Sequence, residues 1–400
     1  MKPLKIFAVL FYGVIEIISA QEIIDSATIY SEKILLKNVV VQMEATQAMN
    51  DLYNFKFDRA ANQFRWFQEK FPEHPLPDFL LALNEWWKIM PNPDNKQYDE
   101  AFLNYLDKSI EKAYKIYRKD RENIDASFFL AASYAFKSRL HSDRKHWSRA
   151  VFAAKNALNY LRRGEKLAEL SPELLMGEGL YNYYSVWIPK NYPLLRPVLL
   201  FFKKGDPKKG LQQLDEAARN AFYTRIEAQN FLMRIYRNEE SAPEKAYPIA
   251  QYLSQTFPDN AYFHRYYAST AFSQGLFAQA ETASLQILQK ITTNQVGYEA
   301  VSGRYAAFFL GRIYQFRSQH SQAEQYYQQA VQYAESAKAF ESGYYHAALV
   351  ELADYAYTQK KYGIAKSHYA KVKKYAKRKS ENFKQAKKRM KEVRNKGVED

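Results

Sequence analysis

The sequence predicts an all-α fold, an α-solenoid of about eight tandem helical hairpins. Three observations predict it. The first is the stretch Tyr305–Ala330, which carries Leu310-Gly311, then Tyr314, Ala323, Tyr327 and Ala330. Gly311 and Ala323 are small where two antiparallel helices cross, and Tyr314 and Tyr327 fill the space beside them. The second is recurrence. A small residue opens a second helix at Ala60, Ala101, Ala150, Gly210, Ala246, Ala280, Ala323 and Ala365. Ala246 and Ala280 are 34 residues apart, and the next intervals of 43 and 42 describe lengthened hairpins. The third is what is missing: there are 13 Gly in 400 residues and no regular alternation of apolar and polar positions, so a sheet protein is hard to build. One hairpin cannot bury its own apolar face, which is why copies must stack.

In chain order, Met1–Ala20 has the form of an export signal. Lys2 and Lys5 precede an apolar run, Ile6–Ile15, and Ser19-Ala20 offers a cleavage point with Gln21 as the first mature residue. Glu16 and Ile18 are imperfect there, and an uncleaved anchor is the alternative. The spacing then predicts a helix from Ile24 to Tyr53, with Leu35, Val39, Met43 and Leu52 on one face. Phe57, Ala60, Phe64 and Phe67 supply its partner, and Pro72 closes it. Phe79–Met90 pairs with Tyr98–Tyr117 across the turn Pro91-Asn92-Pro93-Asp94. Phe128–Phe136 pairs with a helix carrying Ala150, Ala154 and Ala157, across a loop holding His141, Asp143 and His146.

Residues 171–210 depart from the pattern. Ser171 reads as a cap with Pro172 in the first turn, followed by Gly177-Glu178-Gly179-Leu180-Tyr181-Asn182, Ile188-Pro189, the apolar run Val198–Phe202, and Gly205-Asp206-Pro207. Regular repeats resume from Gly210 to the end of the solenoid at 370. The helix of the last unit runs on into a basic tail, 371–400, with Val372, Ala376, Phe383, Ala386, Met390 and Val393 on one side. That tail holds 13 Lys or Arg against four acids, or +9 of the chain's +15. Overall charge therefore says little about the body of the chain.

The sequence lacks a catalytic constellation. It has no cysteine, which excludes thiol chemistry, disulfides and a lipid-modified cysteine. None of the seven His belongs to an H-E-x-x-H pair, and there is no G-x-S-x-G elbow. His141, Asp143 and His146 read as a solvated polar loop. Glu178 and Asn182, one helical turn apart, read as a buried hydrogen-bonded pair. Neither a cofactor nor a metal is expected, and the chain reads as a non-enzyme.

The repeats resemble the tetratricopeptide superfamily over most of residues 41–370, through the Leu-Gly, Tyr, Ala and aromatic positions quoted above. That resemblance implies a right-handed solenoid whose first helices line a concave, partner-binding face. In that register the inward residues are Tyr262, Arg265, Ser269 and Phe272, then Tyr305, Phe308, Arg312 and Gln315, then Val350, Asp354 and Tyr357. One subset of the superfamily grips a C-terminal carboxylate with Lys and Asn. The matching positions here hold Arg265 and Ser269, or Phe308 and Arg312, so that clamp does not carry over. Residues 179–211 also resemble the middle of the yeast inclusion-body clearance protein and its vertebrate relatives.

The function expected is an exported, periplasmic or secreted scaffold that binds another cell-envelope protein or peptide through the concave face. The tail has three readings: a solvated capping helix, attachment to an anionic membrane surface or acidic partner, or nucleic-acid binding. Export argues against the last. The alternative function is therefore a peripheral protein held on an anionic membrane by the basic tail.

Overall fold

The computed structural model describes residues 34–163, 171–193, 196 and 203–396. The expected signal, its cleavage point Ala20/Gln21, the run Val198–Phe202 and residues 397–400 lie outside the described residues. Among those described there is no strand. The helices are α1 Val39–Tyr53, α2 Phe57–Lys70, α3 Pro75–Ile89, α4 Asp99–Lys119, α5 Ile124–Asp143, α6 Trp147–Arg163, α7 Pro172–Asn191, α8 Pro207–Asn220 and α9 Arg225–Arg234. Then follow α10 Pro243–Thr256, α11 Ala261–Ser273, α12 Phe277–Thr292, α13 Ala300–Phe316, α14 His320–Ser336, α15 Gly343–Thr358, α16 Tyr362–Tyr375 and α17 Glu381–Lys396. Among the described residues the fold is all-α, eight helical hairpins, α1/α2 to α15/α16, followed by α17.

The register expected from the sequence holds. The small residue is the fourth of its helix in seven of the eight second helices and the third in α4. Seven of the eight small residues are buried, and Ala101 is half-buried. The turns share a device as well. In six hairpins the residue two before the second helix is left-handed: Phe55, Lys145, Ser241, Gly275, Ser318 and Lys360, with φ between 52° and 72°. A left-handed residue lets the chain leave one helix and re-enter the next within three residues.

The chain divides into two compact units. Among the described residues, unit 1 comprises 34–49, 58–85 and those of 99–228, and unit 2 comprises 50–57, 86–98 and 229–396. In unit 1, α7 and α8 cross backbone against backbone: a Cβ on Gly179 would lie 2.8 Å from the Gly210 carbonyl oxygen. This crossing accounts for Gly179 and Gly210, whereas Gly177 is set against Leu161 of α6. Beside it, Gln213 links Glu178 (2.6 Å) to Asn182 (2.7 Å), so those two meet through a third residue. Unit 2 has an aromatic core in which Trp87 lies against Tyr53 (5.3 Å), Phe263 (5.1 Å) and Tyr262 (5.9 Å).

Four expectations are corrected. α1 begins at Val39, after a 3-10 turn at Leu35–Lys37, and Asn38 Oδ1 caps it by accepting from the Val41 N–H at 3.1 Å. That break shifts the buried face to Val41, Ala45, Ala48 and Leu52, and leaves Val39 and Met43 exposed. α5 runs through His141 and Asp143, and Asp143 pairs with Arg139 one turn back rather than with the histidines. The irregular segment contains a 20-residue helix, α7, with Pro172 in its first turn and no side-chain cap bond from Ser171. Finally, the last helix does not run on. Ala376 is extended, α17 is separate, and it folds onto α15 and α16 with Ala386 and Val393 buried. The one long gap in the tail's apolar spacing, Ala376 to Phe383, is this turn.

Candidate partner-binding surface

In unit 2 the first helices α11, α13 and α15 touch one another in sequence, so one side of each forms part of a shared surface. Asn260 starts α11 by accepting from the Tyr262 and Phe263 N–H groups (3.1 and 3.0 Å), while its own amide donates to the Tyr53 carbonyl at 2.8 Å. Asx capping marks where the helix begins, and the bond to Tyr53 ties that end to the end of α1.

The structure places the expected residues at two depths. Tyr262, Arg265, Ser269 and Phe308 are buried. Arg265 Nη1 donates to the Pro91 carbonyl (3.1 Å) and Ser302 Oγ (3.3 Å), and its guanidinium lies 5.4 Å from the rings of both Tyr262 and Tyr305. Val350 is also buried. Tyr305, Arg312, Gln315 and Phe272 are half-buried. Phe272 stacks on Phe309 at 4.9 Å and meets Phe277, which in turn meets the exposed Phe316.

Arg312 and Gln315 form a unit with Glu351 of α15. Arg312 Nη1 lies 2.8 Å from Glu351 Oε1, and Gln315 Nε2 donates to Oε2 at 2.7 Å. The Tyr327 hydroxyl donates to Gln315 Oε1 at 2.7 Å. Asp354 turns away from α13: it accepts from the Tyr369 hydroxyl and from Gln385 Nε2 of α17 at 3.2 Å. Tyr357 lies against Tyr362, at 5.6 Å between ring centres.

Sequence reasoning missed Arg237, Asn238, Arg304, Tyr344 and Glu351. α9 continues as a π-helical turn, Ile235–Glu239. The wider turn directs Arg237 Nη2 to Ser269 Oγ (3.1 Å) and brings the Asn238 amide to the Tyr266 hydroxyl at 3.5 Å. No local residue type announces it. Tyr344 packs 5.0 Å from Tyr305 and 4.9 Å from Phe308. Burial opposes ionisation of Tyr266, but Arg234, hydrogen bonds from Asn238 and Tyr262, and Arg265 outweigh it and pull the phenol below its ordinary value. For Tyr344 burial wins over Arg237 and its phenol is raised.

Elsewhere the chemistry is sparse. A groove of about 670 Å³ in unit 1 is lined by Asp99, Asp107, His141, Arg144, His146 and Arg149. Two of its carboxylates are already held: Arg144 holds Asp99 through two bonds (2.5 and 2.7 Å), and Lys137 holds Asp107. The His141 and His146 rings are 6.0 Å apart, and burial lowers the His141 pKa. Among the described residues no three His, Asp or Glu groups gather as a metal site, and no helix is long and apolar enough to cross a membrane.

No protein-family model and no curated protein matches the sequence. Among solved structures, yeast Tom70 is similar at a TM-score of 0.41 and 13% identity, covering 80% of this chain. The chain spans 64% of the Tom70 chain, less than two thirds of it. A monomeric mutant of IFIT1 with m7Gppp-AAAA is similar at a TM-score of 0.37 and 14% identity, covering 86% of this chain and 69% of that one. The helical-repeat class rests on the hairpins themselves.

Proposed function

We propose that the chain is a non-enzymatic scaffold that works after export, in the periplasm or outside the cell, and holds a cell-envelope protein or peptide on the first-helix face of unit 2. The observation that carries this reading is the composition of that face. Tyr305, Tyr344, Arg304, Arg312 and Gln315 are half-buried on it. Tyr and Arg combine contact area with directional hydrogen bonds and dominate the energetics of protein interfaces.

A photocrosslinking residue in place of Tyr305, installed in the source cell, tests the reading. A defined envelope protein trapped there, and lost on Arg312→Ala, supports it; no crosslink removes it. Export is tested separately by the N-terminus of the mature protein, expected at Gln21.

A second reading is favoured by α17, whose Lys384, Lys387, Lys388 and Lys391 are exposed on the side opposite Ala386. These lysines suit an anionic membrane surface through charge alone, because the apolar side is occupied. Sedimentation with anionic vesicles at low salt tests this, and no binding there removes it.

A further inference from the structure

Three arginines gather about one pair of tyrosines on the first-helix side of unit 2. Tyr305 of α13 and Tyr344 of α15 pack at 5.0 Å between ring centres. Arg265 of α11 lies 5.4 Å from the Tyr305 ring, and Arg304 of α13 lies 5.0 Å from the same ring. Arg237, on the π turn after α9, donates to the Tyr344 hydroxyl and, at 3.1 Å, to Ser269 Oγ. Elements distant in the chain thus deliver three guanidiniums to one place.

Among the described residues none of the three has a carboxylate within salt-bridge distance. The Nε of Arg237 and that of Arg304 are buried without a partner, and Arg304 makes no hydrogen bond to any described residue. Arg265 is held by neutral acceptors, the Pro91 carbonyl and Ser302 Oγ, so its charge stays uncompensated. The charged groups that act on the neighbouring phenols are arginines too: Arg237 on Tyr344, Arg234 and Arg265 on Tyr266. Like charges gathered in a partly desolvated, aromatic setting are costly unless an anion completes them. By contrast, Arg312 and Arg317, further along, are matched by Glu351 and Glu281.

The number and convergence of these charges select the anion. A carboxylate brings one charge and two oxygens in one plane, enough for a single guanidinium fork. A phosphate monoester brings a charge of about −1.5 to −2 and three acceptor oxygens pointing different ways, which suits guanidiniums arriving from separate elements. Arg237, Arg304, Tyr305 and Tyr344 are half-buried, so the place opens on the face and admits a group borne by a larger molecule. We propose that Arg237 and Arg304, with the buried Arg265 adding its charge, bind a phosphate monoester carried by the protein or peptide partner. The inference rests on the scaffold reading and names the chemical group by which the partner is held.

The test is fluorescence anisotropy of the full-length protein with a labelled Gly/Ser peptide carrying one phosphoserine, beside the same peptide with Ser or Glu at that position. The phosphopeptide is expected to bind at least about tenfold tighter than either, and the double variant R237Q/R304Q to lose at least about tenfold. Arg304→Gln alone breaks no hydrogen bond to a described residue and is expected to lose at least about threefold; it decides the matter if circular dichroism shows the double variant unfolded. Lys366→Gln, an exposed charge on α16, is expected to leave binding unchanged. Equal binding of the phosphoserine and Ser peptides, a Glu peptide as tight as the phosphopeptide, or wild-type affinity in the arginine variants overturns the proposal. So does displacement by inorganic phosphate at lower concentration than by the unlabelled phosphopeptide, which would make a free anion the ligand. Sedimentation with phosphatidic acid vesicles that is lost in R237Q/R304Q would make the ligand a lipid and overturns it as well. If Tyr305 crosslinks a partner equally well in the wild type and in R237Q/R304Q, the scaffold reading stands and the phosphate inference falls.

Discussion

Gly311→Ala isolates the packing that sets the repeat. A Cβ at position 311 would lie 2.7 Å from both Cδ1 and Cε1 of Tyr327. Carbon atoms rest at about 3.5–4.0 Å, so the ring must retreat by about 0.8 Å or more. It has little room to do so. Tyr327 is fully buried, its ring lies 6.0 Å from that of Phe308, and its hydroxyl is fixed on Gln315. Overpacking of this kind costs about 1–3 kcal/mol. Alanine returns about 1 kcal/mol through helix propensity, so a net loss of up to about 2 kcal/mol is expected. Gly363→Ala is the control, because nothing lies within 4 Å of a Cβ there. Urea unfolding followed by circular dichroism gives the comparison, with equal slopes required because a repeat array need not unfold in one step. A midpoint for Gly311→Ala at or above wild type would refute the close-crossing argument.

Three further outcomes follow from the same kind of reasoning. Glu173 is buried on α7 and accepts four hydrogen bonds, from the Phe222, Tyr223 and Thr224 N–H groups and Thr224 Oγ1, at 2.7–3.0 Å. Glu173→Gln turns one acceptor into a donor, leaves up to two of those groups unmatched, and is expected to cost about 2–4 kcal/mol in urea unfolding. Burial lowers the His264 pKa to about 4. Above about 6.5 His264 is neutral in both states; as pH falls from 6.5 to 4 the unfolded chain takes up the proton first, and about 3 kcal/mol of stability is lost. His264→Asn is expected to flatten that part of a pH series of unfolding midpoints. Lys360 occupies a left-handed turn at φ 58°; Lys360→Gly is expected to raise the midpoint, by roughly 0.5–1 kcal/mol.

The parts of the fold legible in the sequence are those fixed by local sterics. A small residue at a helix crossing is demanded by backbone approach, so Ala246, Ala280, Ala323 and Ala365 mark second helices without further information. What could not be read depends on long-range contacts or on breaks that no residue type announces. Asn38 reads as an ordinary helix residue until Leu35 and Leu36 are buried beside Asp125, whose Oδ2 accepts from the Leu35 N–H at 2.6 Å. Glu173 reads as an acid favouring its own helix N-terminus, yet its carboxylate satisfies the start of another helix. The surface shows the same limit. Helical spacing selects Arg265, but the carbonyl that holds it belongs to Pro91, 174 residues earlier. The π turn that directs Arg237 has no periodicity of its own.

The fates of the inner arginines discriminate between structural and binding roles more sharply than exposure does. Arg312 stands beside Glu351, and removing it would leave a carboxylate to be resolvated; its charge has a structural partner. Arg265 has carbonyl and hydroxyl acceptors, so its hydrogen bonds are partly satisfied while its charge is not. Arg304 has neither, and rests only on a tyrosine ring. A stabilising role explains the first of these and part of the second. It does not explain why Arg304 and Arg237 keep a permanent charge where Gln or Met would pack with less desolvation. If they serve only the fold, R237Q/R304Q should be less stable than wild type and should leave the crosslink at Tyr305 unchanged. If they serve a ligand, the same variant should be at least as stable as wild type while losing the partner trapped at Tyr305. The two measurements together separate a packing arginine from a binding one.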